Sequence, residues 1–195
     1  MFQLIYNHLS CVIILLSTII AGCPIATVNT PDAKLAVQPE SMIGKYYMDD
    51  KLAGVPHRID YEITHSGNDK FPFQIKSESA PQEEGPKFQI YQIGKNKLVF
   101  ADSTSPDMKK KGTRQLGVAK LTVTKTQLVF GMLNPKFFDK NPDAIPGMSK
   151  TIGGLGDGNI LLNASPKQLE LFFKLHEDTD SLFVTDEPLL LHRKK

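Results

Sequence analysis

The chain of 195 residues contains no tryptophan and only two cysteines, Cys11 and Cys23. Both lie near the N-terminus, so no disulfide can staple a domain that follows them, and stability there must come from packing. Lys or Arg is missing from Met1 to Pro31, which leaves the terminal amine and His8 as the only positive groups ahead of the first apolar run. Basic excess is absent as well. Lys and Arg number 23 against 21 Asp and Glu, a formal charge of +2, which is far from what a nucleic-acid binder requires. There is no His-Glu-x-x-His run and no Cys pair free for a metal, and His57, His65, His176 and His192 are dispersed. His57 and His65 share a face of one strand but stand about 26 Å apart at the usual rise per residue. No catalytic residue, metal site or cofactor is therefore assigned, and the chain reads as a non-enzyme.

What is present begins with the leader. Cys11 to Ala21 is apolar apart from Ser17 and Thr18. That is short of the about 20 residues a membrane-spanning helix needs, but it fits the apolar region of an export signal. Ile20-Ala21-Gly22-Cys23 follows, with two small residues that let the chain lie extended in a peptidase groove. This run resembles the lipobox of bacterial lipoproteins. The resemblance implies diacylglyceryl transfer to the Cys23 thiol, cleavage before it, and lasting attachment to a membrane. The competing reading is an uncleaved anchor from Cys11 to Val28, which Cys23 and Pro24 make a poor helix. Cleavage removes 22 of the 195 residues and leaves 173, enough for one domain with a real core. Residues 1–22 are thus expected as a signal peptide, 23–41 as an extended Pro-containing tether, and 42–195 as a single β-rich domain.

Within that domain alternation dominates. Ile59, Tyr61 and Ile63 alternate with Arg58, Asp60, Glu62 and Thr64, as a strand with one wet face requires. Phe71, Phe73 and Ile75 repeat the pattern after the turn residues Ser66-Gly67-Asn68-Asp69. Phe88-Ile90 and Tyr91-Ile93 are out of phase with one another, which predicts a β-bulge near Ile90. Lys97–Ala101, Lys120–Thr124 and Leu128–Met132 continue a series of six or seven strands joined by short turns, which favours an antiparallel meander. Further strands are expected at Ile160–Asn163, Ser181–Thr185 and Leu189–Arg193.

One helix is expected, capped by Ser165 with Pro166 at its first position and Gln168 completing a capping box. Leu169, Phe172, Phe173 and His176 share its apolar face, which predicts packing against the sheet with His176 at the rim. Asn134–Lys150, with Pro135, Pro142 and Pro146, reads as a long loop available to a partner. Gly147-Met148-Ser149-Lys150-Thr151 misses the nucleophile elbow at its last position. Gly153-Gly154-Leu155-Gly156-Asp157-Gly158-Asn159 lacks the spacing of a dinucleotide loop and reads as a hairpin turn. Lys109-Lys110-Lys111 with Arg114, and Glu83-Glu84, read as solvated loops without the interleaved aromatics that stack bases.

The fold class is therefore mainly β: an antiparallel meander curling into a closed or nearly closed β-barrel, with one C-terminal helix before the last strands. Gly44-Lys45-Tyr46-Tyr47 at the start of the domain and Arg193 near its end resemble the opening Gly-x-Trp and the late Arg of the lipocalin and calycin families, with Tyr46 in place of Trp. The resemblance implies a barrel in which Arg193 packs across Tyr46. Two function classes follow. One is a lipid-anchored binding module of the bacterial cell envelope, at the periplasmic face of the outer membrane, whose interior residues Tyr46, Tyr61, Phe73, Phe88 and Phe130 line a site for an apolar or lipid-like ligand. The other is an envelope interaction or assembly protein that presents its loops to a protein partner.

Overall fold

A computed structural model describes residues 25–52, 55–79, 85–102, 115–145, 160–184, 186 and 188–195. The leader with Cys23, the Lys109–Lys111 run with Arg114, Glu83-Glu84, the Gly147–Thr151 run and the Gly153–Asn159 stretch lie outside these residues.

The strands are β1 (Ile25–Thr27), β2 (Ala36–Val37), β3 (Gly44–Leu52), β4 (Val55–His65), β5 (Phe73–Ser77), β6 (Lys87–Ile93), β7 (Asn96–Asp102), β8 (Leu116–Val123), β9 (Gln127–Met132), β10 (Ile160–Leu162) and β11 (Leu189–Arg193). Helix α1 (Pro135–Lys140) follows β9, and helix α2 (Pro166–Leu175) precedes β11. Strands β3 to β9 pair antiparallel in sequence order, and β11 then bonds to β9 on one side and β3 on the other. This closes an eight-stranded antiparallel barrel. Each strand of the series pairs with the next in sequence, by tight turns between β6 and β7 and between β8 and β9 and by longer connections between β4 and β5, β5 and β6, and β7 and β8. Gly67 at φ +67° and Gly94 at φ +55° occupy left-handed positions in two of these connections, conformations that suit glycine.

The barrel wall has two apolar layers. Inside lie Tyr46 and Met48 of β3, Ile59, Tyr61 and Ile63 of β4, and alternate residues of the other strands, all at most 6% exposed. Outside β6, β7 and β8 a second core forms from Tyr91, Ile93, Leu98, Phe100, Leu116 and Val118, covered by α1 and α2. This arrangement corrects the expected bulge. The pairing of β6 with β7 runs without a break from Phe88↔Ala101 to Ile93↔Asn96, so no residue is inserted at Ile90. Phe88 and Ile90 point into the barrel while Tyr91 and Ile93 point into the outer core. The phase change is simply the two faces of a strand buried on both sides.

Helix α2 carries the capping box expected for it: the Gln168 amide donates to Ser165 Oγ at 3.3 Å and the Ser165 amide donates to Gln168 Oε1 at 2.8 Å. Leu169, Phe172 and Phe173 are buried against the sheet, and Phe173 meets Phe100 edge-on with centroids 6.3 Å apart. Asn134–Lys150 is not one irregular loop. Asn134 caps α1 through the Lys136 amide at 3.1 Å, Pro135 takes the first turn, and Phe137 and Phe138 are buried in the outer core. The described part of the expected strand Ser181–Thr185, up to Val184, likewise does not form one. A 3-10 turn spans Asp180–Leu182, and Phe183 makes a single bridge to Leu133.

The stretch expected as a tether is built into the domain from Ile25 onward. Strand β1 sits between β10, to which it is parallel, and the first residues of β8, to which it is antiparallel. Ile25 and Thr27 are fully buried, and the Thr27 hydroxyl donates to the Leu162 carbonyl at 3.1 Å. Strand β2 pairs with β6 beyond the point where β5 ends, and the 3-10 turn Glu40–Met42 buries Met42 inside the barrel. Proline and polar composition signals irregular local conformation, but it carries no information about docking to strands distant in sequence.

The outer core predicts a sharp contrast on one helix. Phe173→Ala should cost about 3–5 kcal/mol through lost burial and a cavity, whereas Leu171→Ala on the exposed face should change stability by about 0.5 kcal/mol or less. Chemical denaturation at a constant slope measures both, and similar costs for the two would contradict the described orientation of α2.

Candidate functional site

The five residues expected to line a ligand site come together in the barrel interior. Tyr46 and Tyr61 are directly paired between β3 and β4, and Phe73 and Phe88 between β5 and β6. Phe130 enters from β9 opposite Leu121 and Leu189. Their exposures run from 0% to 4%, and the Phe73 and Phe88 rings stack with centroids 5.5 Å apart. Alternation brings them together, since each occupies an inward position on its own strand. Met42, Met48 and aliphatic residues belong to the same buried cluster, so the lining is apolar apart from two phenols.

One of those phenols belongs to the closure of the barrel. Tyr46 Oη donates to the Met42 carbonyl at 2.8 Å and accepts from Arg193 Nη2 at 2.7 Å. Burial raises the Tyr46 pKa above its ordinary value, and the Arg193 charge opposes that rise without cancelling it. The Arg193 guanidinium lies 5.2 Å from the Tyr46 ring centroid and also donates to the Ser41 carbonyl. Arg193 is paired with Tyr46 across β11 and β3, and its amide donates to the Thr126 carbonyl at 2.7 Å. One side chain thus ties the last strand to the first and to the Glu40–Met42 turn beneath them. Gly44 beside it has φ +144°, and a Cβ there would lie 3.6 Å from Arg193 Nη1. The backbone conformation, not lack of space, is what favours glycine at that position.

The outer wall of β3, β4 and β11 is polar. Arg58 lies 3.6 Å over the Tyr47 ring, and His192 stacks on Tyr47 at 5.1 Å. Lys194 Nζ reaches Glu78 at 2.9 Å and Asp60 at 3.0 Å. Hydrogen bonds from Lys194 and then Lys45 lower the Glu78 pKa. Burial pulls Asp60 upward, but hydrogen bonds from Lys194 and Arg58 outweigh it and leave its pKa lowered. The hydrogen bond to Glu78 raises Lys194 against a smaller effect of burial, and the bond to Asp60 adds to it. These pairs stitch the chain end to β4 and to the residue after β5 at the surface, where salt screens them.

The four histidines remain apart. His57 is exposed on β4, His65 lies 3.6 Å from Glu40, and His192 stacks on Tyr47. His176 ends α2 against Phe137 and Phe172, with ring centroids 5.2 and 4.9 Å away, and burial there lowers its pKa. Among the described residues no group of three or more His, Cys, Asp or Glu side chains is placed to hold a metal ion.

A second concavity went unnoticed in the sequence. A cleft of about 240 Å³ lies on the outer face of β8 and β9, walled by Glu177, Thr179, Asp180, Phe183, Val184 and Pro188. Val129, Gly131, Phe183 and Val184 form its apolar part, Thr122, Glu177, Thr179 and Asp180 its polar part, and Lys120 Nζ stands 5.7 Å from the Phe183 ring. The sequence signal for it is Gly131 inside an otherwise regular strand, where a Cβ would come within 3.4 Å of the Val184 carbonyl oxygen. Comparison with family models, with curated proteins and with solved structures finds no match for this chain.

The closure predicts coupled energetics. Arg193→Ala should cost about 2–3 kcal/mol, Tyr46→Phe about 1 kcal/mol, and the double variant less than their sum, because both substitutions remove one shared bond. Denaturant midpoints measure all three, and strict additivity would show that the two side chains do not interact.

Proposed function

We propose that this protein is a lipoprotein of the bacterial cell envelope, held through acylated Cys23 at the periplasmic face of the outer membrane, and that its barrel is a non-enzymatic binding module for an apolar or lipid-like molecule. The observation that carries the reading is the convergence of Tyr46, Tyr61, Phe73, Phe88 and Phe130 within one closed apolar interior. Eight strands are the size at which a barrel interior is either filled by its own side chains or holds one small ligand. Met42 and Met48 are what favours the second use here. Both are unbranched, repack at low cost, and lie in the same cluster as the five aromatic residues. Met42 sits on the turn that Arg193 and Tyr46 hold, so movement of this turn opens the interior at one end. The placement of Arg193 across Tyr46 supports the calycin-like reading of the two ends of the domain.

The alternative, a partner-binding protein acting through Asn134–Lys150, has less to rest on. Phe137, Phe138 and Ile145, the large apolar residues in the described part of that stretch, are buried in the outer core and are not displayed. No helix among the described residues is long and apolar enough to cross a membrane, a condition compatible with attachment by acyl chains.

Native mass spectrometry tests the binding reading on a soluble form that begins at residue 23 with Cys23→Ser and so keeps β1 and β2. A discrete added mass that leaves on activation, and that is lost in Ile90→Trp, which fills the interior, is the expected result. A bare monomer mass after gentle periplasmic purification, unchanged on incubation with extracted envelope lipids, would count against the module.

A further inference from the structure

We infer that the outward face of α2 is the surface on which this protein rests against a lipid bilayer with anionic head groups. The inference depends on the reading of Cys23 as acylated, and it adds which side of the domain that anchor holds to the membrane. Leu171 and Leu175 are the large hydrophobic side chains left exposed among the described residues, at 55% and 80%. They stand one helical turn apart. The exposed Lys167 and Lys174 fall on the same stripe, four residues before Leu171 and three after it. Glu170 is the one carboxylate on the helix. The inner face is already occupied by Leu169, Phe172 and Phe173, so α2 has a second apolar stripe, bordered by cations, with no packing role in the domain. Such a stripe suits a membrane interface: leucines enter the acyl boundary while lysine stems lie along it and their ammonium groups reach phosphates.

The backbone keeps the layer that holds this face close to the anchor. Strand β1 begins at Ile25, which is fully buried and held between β8 and β10. Cys23 is two residues away, a span of about 7 Å at full extension. A domain on so short a leash presents the layer beside β1. That layer includes α2: Ile25 belongs to the same cluster as Leu169, Phe172 and Phe173, and Asn29 Nδ2 donates at 2.9 Å to the Ala164 carbonyl just before the helix cap. Isolated exposed leucines are ordinary on protein surfaces. Here they belong to the same layer as the strand nearest the anchor, and cations flank them.

The test uses the full-length chain, acylated in a bacterial host and reconstituted into vesicles of phosphatidylethanolamine and phosphatidylglycerol. An environment-sensitive fluorophore is attached at Leu171→Cys or Leu175→Cys, or at His57→Cys on the opposite wall. Intact mass first establishes whether the chain begins at an acylated Cys23. The expected result is a blue-shifted emission, quenched by lipid-borne quenchers, at 171 and 175 but not at 57, and a loss of that shift in Lys167→Glu/Lys174→Glu. An acylated chain whose label at 171 and 175 stays as wet as at 57 overturns this inference alone. A chain that still begins at Met1 without acyl mass overturns the anchor reading and this inference with it.

Discussion

Everything in this domain depends on β11 forming backbone hydrogen bonds on both of its edges. Four pairs, Leu189↔Phe130 to His192↔Gln127, join it to β9, and His192↔Tyr47 and Arg193↔Tyr46 join it to β3. Without it the meander would have two open edges lined with unpaired amides and carbonyls, the arrangement natural sheets avoid. With it the wall is continuous, the interior width is fixed by the strand number, and inward positions of eight strands share one core. Arg193 secures the seam where it has the fewest backbone pairs. Its guanidinium spans Tyr46 and the Ser41 carbonyl, so the closing strand and the turn over one barrel end are held by the same group.

The closing strand also explains why there is a second core. Among the described residues, none between Met132 and Leu189 belongs to a barrel strand. The segment between must pack somewhere, and α1, β10 and α2 settle on the outer faces of β6, β7 and β8. Strand β8 divides its outer edge, giving Ala119–Val123 to β9 and Leu116–Gly117 to β1. Strand β1 in turn carries β10. The N-terminal segment therefore joins the barrel to the outer layer, with Ile25 buried between β8 and β10.

Legibility in the sequence follows burial. Strand β4 was readable because one face is wet, so Ile59, Tyr61 and Ile63 alternate with polar neighbours. Strands β6 and β7 are covered on both faces, and apolar residues in both phases imitate a bulge that does not exist. Helix α2 announced itself by its capping box, whereas α1 carried a cap and an N-terminal proline of the same kind in Asn134 and Pro135, outweighed by the prolines that follow. Strands β1 and β2 are three and two residues long and pair with partners far along the chain, as Thr27 does with Leu162, so no local pattern marks them. Of the five interior aromatics, Tyr61 and Phe73 were legible from alternation, and Tyr46 from the resemblance of Gly44-Lys45-Tyr46-Tyr47 to the calycin opening. The cleft beside Phe183 was not, because its walls come from separate segments and only Gly131 hints at the close approach.

Completion of the barrel by β11 can be measured by amide-resolved hydrogen exchange on the intact chain. Closure predicts that the Leu191, His192 and Arg193 amides exchange only through global unfolding, with the same free energy as amides at the centres of β4 and β7. Exchange of β11 through local opening at a much lower free energy, with β3 and β9 fraying alongside it, would describe an open meander and contradict the account.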